Sequence, residues 1–185
     1  MDKTVGFSRS ILIYVEDPGA LNGLLPMARR LSGTGHKIYI ELDGYAKNAE
    51  GLDLRGLHPE VNSIDKVSKK KYDAVLVGTS ENQKSMAFKL IEMCRIVSVK
   101  TFAFIDSPAN PEYRFSGEWG EALEFAPDFL IVVDEETAVA YKDLGFNRQE
   151  ILVVEHPHFE SLHKQRVDFS RQTPADMKAI TFGEN

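Results

Sequence analysis

The chain has 185 residues, enough for one domain and a remainder, since domains average about 150 residues. Its 43% apolar and 27% charged residues are typical of a folded globular protein and exclude a disordered chain. The formal net charge of -6 argues against non-specific binding to nucleic acid, because an acidic surface repels phosphate groups. One cysteine, Cys94, excludes an internal disulfide, and we expect its thiol to be buried in a helix.

Targeting and membrane signals are missing from the sequence pattern. No apolar segment precedes Ile11, so the first residues do not form a signal peptide. The longest apolar runs, such as 129–133, are too short to cross a bilayer. We therefore expect a cytoplasmic protein.

Short apolar runs alternate with helical patterns along most of the chain. In chain order the pattern predicts strand 11–15, helix 21–31, strand 37–42, a short helix after 43–44, an edge strand at 61–64, strand 72–77, helix 82–97, strand 100–105, a long loop at 109–126, strand 129–133, helix 135–144, strand 150–154 and helix 159–166. Repeated strand–helix units with buried, β-branched strands require parallel strands joined by right-handed crossovers. The predicted fold is therefore α/β: a doubly wound, mostly parallel sheet with helices on both faces.

The end of the sequence differs from the rest. Residues 1–166 fit one Rossmann-like domain, whereas the polar segment that begins at 167 fits a linker. Residues 179–182 (AITF) then resemble a strand that lacks a crossover partner. We expect residues 167–185 to be a linker and the first strand of a second domain. The alternative is a complete single domain whose last strand joins the edge of the sheet.

Two strand-end loops are candidates for a ligand site, because open parallel sheets bind ligands beyond the carboxyl ends of their strands. The first loop follows strand 11–15, and its candidate residues are Asp17, Pro18, Gly19, Ala20 and Asn22. Gly19 would let a ligand approach the backbone, and the next helix offers free N–H groups. The loop suits hydroxyls or one anion, but it matches neither a dinucleotide nor a Walker motif. A tight turn without a ligand is the alternative.

The second loop follows strand 100–105 and is long for an α/β connection. Asp106 could act as a general base toward a substrate hydroxyl, and Arg114 could bind a phosphate or carboxylate with two hydrogen bonds. A surface arginine on a flexible loop is the alternative for Arg114. Further polar residues at strand ends complete the candidate ligand set: Thr79, Ser80, Ser107, Asn110, His156 and His158.

Metal and receiver-type sites are not indicated. His156 and His158 form a pair without a convincing third ligand, whereas zinc needs three or four. An acidic Mg²⁺ pocket made of Glu16, Asp17 and Asp106 would suit a receiver domain. Such domains carry a lysine before the proline after the last strand, but this sequence has Glu155-His156-Pro157. No motif indicates a cofactor.

Several stretches together resemble a known family. They are 11–22 (ILIYVEDPGALN), 31–40 (LSGTGHKIYI), 72–80 (YDAVLVGTS), 127–134 (PDFLIVVD) and 151–159 (ILVVEHPHF). The chain from about 10 to 165 resembles the N-terminal Rossmann-like domain of GT-B glycosyltransferases and of the related UDP-N-acetylglucosamine 2-epimerase-like proteins. Glu155 stands where the family usually has glycine, which weakens any transfer of function to that loop.

The resemblance implies an enzyme of two domains, of which this chain is the acceptor-side half and inactive alone. The missing second domain would bind a nucleotide sugar, and this domain would bind a sugar or another hydroxyl-rich acceptor. Asp17 and Asp106 are the positions that match a catalytic base. If the acceptor were a lipid, the protein would associate peripherally with a membrane.

Two alternatives stay open at this point. The chain could be a self-contained, flavodoxin-like binding or regulatory domain without catalysis, dimeric through its last strand. It could also be a small-molecule enzyme complete in one domain, with Asp17 and Asp106 as its acids.

Overall fold

The computed structural model of the protein describes residues 8–155. The predicted helix 159–166, the segment 167–185 and the candidate residues His156 and His158 lie outside the described residues. No helix in the described part of the chain is long and apolar enough to cross a membrane.

The described residues form a sheet of seven parallel strands with helices packed on it. The strands are β1 (Ser10–Val15), β2 (Lys37–Leu42), β3 (His58–Pro59), β4 (Ala74–Gly78), β5 (Lys100–Ile105), β6 (Phe129–Val132) and β7 (Ile151–Val153). The helices are α1 (Pro18–Gly33), α2 (Ser63–Ser68), α3 (Met86–Val97) and α4 (Glu135–Asp143), with 3₁₀ turns at Gly44–Asn48, Pro111–Tyr113 and Arg148–Glu150. The predicted doubly wound α/β fold is confirmed.

The strand order is β3-β2-β1-β4-β5-β6-β7. The chain therefore reverses its direction of winding between β1 and β4, which creates the crevice where open α/β sheets bind ligands. Helix α1 packs in one apolar cluster with Ile13, Ile40 and Phe104. Helices α2, α3 and α4 contribute to a second cluster, which includes Leu12 and Val75. Successive residues of β1 thus point into different clusters, as a sheet covered on both faces requires.

Two aspartates fix the register at the amino ends of the strands. Asp73 precedes β4 and accepts a hydrogen bond from the Ser10 N–H of β1 at 2.7 Å. Asp128 precedes β6 and accepts from the Thr101 N–H of β5 at 2.8 Å. In both pairs the next residues face each other across the ladder: Ile11 with Ala74, and Phe102 with Phe129. These aspartates, which belong to the family-like stretches, have a structural role.

Two predicted helix starts and one predicted strand differ from the structure by three or more residues. Helix α1 begins at Pro18 instead of 21, because the Asp17 carboxylate caps it and proline is favoured in the first helical turn. Helix α3 begins at Met86 instead of 82, because Ser85 is its capping residue. The predicted edge strand at 61–64 is wrong: the edge strand is β3, and α2 already begins at Ser63.

Helix α1 lies unusually close to the sheet at Gly23. A Cβ atom at this position would lie 2.4 Å from two carbon atoms of the Phe104 ring, and Phe104 is fully buried. A side chain at this position would require the buried Phe104 ring or the helix backbone to shift, so glycine is favoured here for packing. Gly33, at the end of the same helix, has no atom within 4 Å of such a Cβ.

We predict that Gly23→Ala destabilises the chain by about 1–3 kcal/mol, the usual cost of overpacking, although alanine has the higher helix propensity. The matched control is Gly33→Ala, which we expect to change the free energy of unfolding by no more than about 1 kcal/mol, if anything in the stabilising direction. Urea-induced unfolding followed by circular dichroism measures both. Equal stability of the two variants would contradict the close contact between helix α1 at position 23 and the Phe104 ring.

Candidate functional site at the carboxyl edge of the sheet

The carboxyl ends of three adjacent strands meet at the switch in winding direction. Asp17 follows β1, Thr79 follows β4 and Asp106 follows β5, and these strands are neighbours in the sheet. The structure thus brings the two candidate loops to one crevice, together with Arg114 from the long loop after β5.

Arg114 is the residue that joins these loops. It is only 7% exposed. Its Nε donates to the Ala109 carbonyl at 3.1 Å, and its Nη1 donates to Thr79 Oγ1 at 3.1 Å and lies 3.4 Å from Asp106 Oδ1. Thr79 Oγ1 donates in turn to the carbonyl of Phe104 in β5 at 3.0 Å. Arg114 is therefore a buried, bonded cation rather than a surface arginine on a flexible loop.

Asp106 lies against the first turn of α1. A Cβ atom at Gly19 would lie 2.8 Å from Asp106 Oδ2 and 2.9 Å from Asp17 Oδ1. One oxygen of Asp106 thus faces Arg114 and the other faces the Gly19 backbone. The Asp106 side chain is 20% exposed, so a small ligand in the crevice can reach it. Glycine at position 19 is what allows two carboxylates to approach the start of the helix.

The remaining candidates of the first loop differ in what they offer a ligand. Asp17 Oδ1 accepts from the Gly19 N–H at 2.6 Å and so serves as the cap of α1. Pro18 and Asn22 are exposed on the first turns of that helix. Ala20 is fully buried, and a Cβ at Gly78 would lie 2.8 Å from its side chain. Only the backbone of Ala20 is therefore available at the crevice.

The other candidates form the rim. The Ser80 and Ser107 hydroxyls accept from the N–H groups of Asn82 and Ala109, each at 3.2 Å. Asn110 Nδ2 donates to Glu81 Oε1 at 2.8 Å. That last bond connects the loop after β4 to the loop after β5, and both residues are exposed. These polar groups border the crevice but are engaged in holding its loops.

Glu16 has a role that the sequence did not reveal. It is 8% exposed, its Oε1 lies 2.6 Å from the Tyr14 hydroxyl, and it accepts from the Met86 N–H at 2.8 Å. The carboxylate therefore sits at the start of α3, where the helix dipole favours a negative charge. Burial, together with the Glu16 and Asp43 carboxylates, raises the pKa of Tyr14. Glu16 is thus a structural residue and does not belong to an acidic pocket.

Two buried residues of α4 carry hydroxyl groups, and one of them packs against the long loop between β5 and β6. Thr137 and Tyr141 of α4 are fully buried, and neither hydroxyl has a hydrogen-bond partner among the described residues. The Tyr141 ring packs edge-on against Phe115, with 6.0 Å between centroids. Burial raises the pKa of Tyr141, so its hydroxyl stays protonated. Phe115 directly follows Arg114, and this packing holds the backbone beside the guanidinium.

The charges of the crevice favour a hydroxyl-rich ligand. The crevice holds two carboxylates, Asp17 and Asp106, and one cation, Arg114, which pairs with Asp106, so the local balance is negative and a polyanion would be repelled. Carboxylates are strong acceptors for hydroxyl donors. Among residues 8–155, no group of three His, Cys, Asp or Glu side chains is arranged to hold a metal ion.

A cavity of about 320 Å³ lies at the opposite edge of the sheet, at the amino ends of the strands. Its lining includes Cys94, Lys100, Thr101 and Asp128. Three of its polar side chains are paired with one another, since Asp128 accepts from Lys100 at 2.9 Å and from the Thr101 hydroxyl at 2.9 Å, and Arg95 donates to the Ala126 carbonyl. Cys94 is fully buried, as expected, and burial raises the pKa of its thiol to about 12. This cavity therefore offers few free groups to a ligand.

Solved structures share this fold at low sequence identity. UDP-N-acetylglucosamine 2-epimerase from Rickettsia bellii is 15% identical, with a TM-score of 0.61 over 95% of this chain and 52% of its own. The Methanocaldococcus jannaschii epimerase is 12% identical, with a TM-score of 0.59 over 94% and 54%. Anabaena Alr3699/HepE in complex with UDP is 15% identical, with a TM-score of 0.56 over 80% and 44%.

These likenesses confirm the GT-B-like, Rossmann-type fold of the chain. The chain spans about half the length of the proteins it matches. No protein-family model matches the sequence, and no curated protein is similar to it in sequence.

We predict that Arg114→Met destabilises the chain by about 1–3 kcal/mol, because the Ala109 carbonyl and Asp106 lose a charged donor away from bulk water. The matched control is Arg95→Met. Arg95 is exposed and makes one hydrogen bond, to the Ala126 carbonyl at 3.2 Å, so we expect a cost below about 1 kcal/mol. Chemical denaturation measures both variants. If Arg114→Met were as stable as the Arg95→Met control, the hydrogen bonds of Arg114 would not hold the loops after β4 and β5 together.

Proposed function

We propose that the chain is the acceptor-side domain of a GT-B-like nucleotide-sugar enzyme and that its reaction is glycosyl transfer. The observation that carries the proposal is the position of Asp106, fixed between Arg114 and the Gly19 backbone at the switch crevice. The fold likeness adds support, since the matched proteins are named as UDP-N-acetylglucosamine 2-epimerases or are described in complex with UDP.

The chemistry proposed for the crevice is activation of an acceptor hydroxyl. Asp106 accepts a hydrogen bond from that hydroxyl and takes its proton as the oxygen attacks the anomeric carbon of the donor sugar. The new glycosidic C–O bond forms while the bond from the anomeric carbon to the nucleoside diphosphate breaks. The nucleoside diphosphate leaves with the bonding electrons, and Asp106 ends the step protonated.

The neighbouring groups assist by orientation. Arg114 holds one Asp106 oxygen, and the other lies beside the Gly19 backbone, at the start of α1, where the crevice is. Asp17, the Ala20 backbone N–H and the rim residues Ser80 and Asn110 can bind further hydroxyls of the acceptor. Asp17 is the second candidate base, but one of its oxygens already caps α1. Asp106 is therefore the stronger candidate.

The donor is proposed to bind elsewhere. On this account residues 1–166 form the acceptor domain, and residues 167–185 lead into a second domain that carries the nucleotide-sugar site. Support comes from length, since the chain spans about half of the proteins it matches. The domain would then be inactive alone. His156 and His158 remain candidates at the last strand end.

We predict that the 185-residue chain alone neither binds UDP tightly nor turns over UDP-N-acetylglucosamine in the presence of sugar acceptors, as measured by calorimetry and by UDP release. In the longer protein, Asp106→Asn should lower kcat about 10²–10⁴-fold, the usual contribution of a general base, with little change in KM for the donor.

The matched control is Asp65→Asn, an exposed aspartate on α2, which should leave kcat unchanged. Turnover by the chain alone would contradict the proposal that the acceptor and the donor bind to separate domains. Full activity of Asp106→Asn would remove Asp106 from catalysis. Tight binding of a small ligand by the chain alone, without turnover in the longer protein, would favour the flavodoxin-like alternative.

A further inference from the structure

Arg114 does not use all of its hydrogen-bond donors within the protein. A guanidinium carries five N–H donors in a fixed planar fork. Nε uses its donor on the Ala109 carbonyl, and Nη1 uses its two on Thr79 Oγ1 and Asp106 Oδ1. The two donors of Nη2 have no acceptor among the described residues. The side chain therefore holds its loop with two nitrogens and offers the third to a ligand.

The Nη2 atom is open to the crevice although the side chain is only 7% exposed. In the described part of the chain, the enclosed side-chain polar atoms without a partner are the hydroxyls of Thr137 and Tyr141. Nη2 also lacks a partner but is not one of these atoms, so part of its surface is accessible. It is bonded to the same carbon as Nη1, which lies 3.4 Å from Asp106 Oδ1. One sugar unit is therefore large enough to contact Nη2 and Asp106 together.

The hydrogen bonds of Arg114 leave neither edge of the fork to an anion. A carboxylate or phosphate pairs with arginine through parallel N–H groups on two neighbouring nitrogens. Nε and Nη2 form one such edge, but the Ala109 carbonyl occupies Nε. Nη1 and Nη2 form the other edge, but Thr79 and Asp106 occupy Nη1. A ligand therefore meets Nη2 alone, which suits single hydroxyl, ring or carbonyl oxygens.

Carboxylates of the chain itself fill the two places where the crevice would attract an anion. The first place is the start of α1, where free N–H groups and the helix dipole favour negative charge. Asp17 accepts there from the Gly19 N–H at 2.6 Å, and Asp106 Oδ2 lies beside the same glycine. The second place is Arg114, which pairs with Asp106. An anionic ligand would therefore meet two carboxylates and one neutralised cation.

An uncharged sugar fits the same groups. Its hydroxyls can donate to the carboxylates of Asp17 and Asp106, and its oxygens can accept from Arg114 Nη2. Neither contact brings a new charge into the crevice, so no like charges are forced together.

We propose that the acceptor site is specific for an uncharged sugar and excludes uronic acids and sugar phosphates, with Arg114 Nη2 in contact with an oxygen of the acceptor. This inference rests on the proposed function and names the substrate class of the same site. It gives Asp106 a second role, because the charge of Asp106 cancels that of Arg114 and so sets the selectivity of the crevice.

Binding of sugar pairs to the 185-residue chain tests the selectivity. The pairs are glucose with glucuronic acid, galactose with galacturonic acid, and mannose with mannose 6-phosphate, so that the members of a pair share their stereochemistry and differ in charge. Titrations followed by backbone amide shifts detect weak binding. We expect at least one uncharged sugar to bind about tenfold or more tightly than its charged partner, which corresponds to about 1.4 kcal/mol.

Asp106→Asn tests whether the charge of Asp106 sets this selectivity. The variant leaves the Arg114 charge unpaired in a poorly solvated place, which is costly. Inorganic phosphate should therefore bind the variant about tenfold or more tightly than it binds the unchanged chain, as expected for a hydrogen bond to a charged group. Phosphate should also raise the melting temperature of the variant, so the test remains valid if the variant is less stable.

The matched control is Asp65→Asn, the same change at an exposed aspartate on α2, which should gain no affinity for phosphate. The role of Asp106 as a base is tested separately, by kcat of the longer protein. A variant Asp106→Asn that gains phosphate binding but keeps full kcat would refute the base and leave the selectivity standing.

The side-chain signals of Arg114 test the contact at Nη2. In the chain labelled with ¹⁵N-arginine, the bound uncharged sugar should shift the guanidinium signals of Arg114. The signals of Arg95, an exposed arginine at the opposite edge of the sheet, should stay unchanged and serve as the control.

Four results would overturn the inference. Tighter binding of a charged sugar than of its uncharged partner would make Arg114 an anion-binding residue. Unchanged phosphate affinity in Asp106→Asn would show that the Asp106 charge does not set the selectivity. Sugar binding that shifts the backbone amides of the crevice but not the Arg114 guanidinium would remove Nη2 from the contact. Binding of none of the uncharged sugars would exclude the proposed ligand class.

Discussion

The candidate site depends on one buried charge. A guanidinium that is 7% exposed needs hydrogen-bond partners, because an unpaired buried charge is very costly. Arg114 finds them on two loops: the Ala109 carbonyl and Asp106 after β5, and the Thr79 hydroxyl after β4. This bonding fixes the start of the long loop and orients Asp106 toward Gly19. It also directs the following residue, Phe115, into the core, from where the chain continues to Trp119.

The local parts of this arrangement were predictable from the sequence. Buried β-branched runs gave six of the seven strands, and their alternation with helical patterns gave the parallel, doubly wound order. The capping residue Asp134 and the positive-φ Gly145, at the two ends of α4, follow from rules that involve only a few neighbouring residues. The candidate loops were predictable for the same reason, since topology alone brings the ends of parallel strands to one edge.

The non-local parts were not predictable. Arg114 reaches Thr79 across 35 positions, and Glu16 reaches the start of α3 across 70. No pattern of neighbouring residues specifies which side chains meet when distant loops fold together. The two-residue strand β3 is too short to show an alternation, and its place depends on pairing with β2. Without β3 the strand order would match the flavodoxin type, so this short edge strand completes the Rossmann order.

The central claim is that the crevice between β1, β4 and β5 binds the sugar acceptor. Backbone amide shifts of the ¹⁵N-labelled chain, titrated with an acceptor sugar, test it most directly. The account predicts perturbations at residues 19–20, 79–80 and 106–110. Perturbations confined to residues 98–101 and 126–128, around the cavity at the opposite edge, would contradict it.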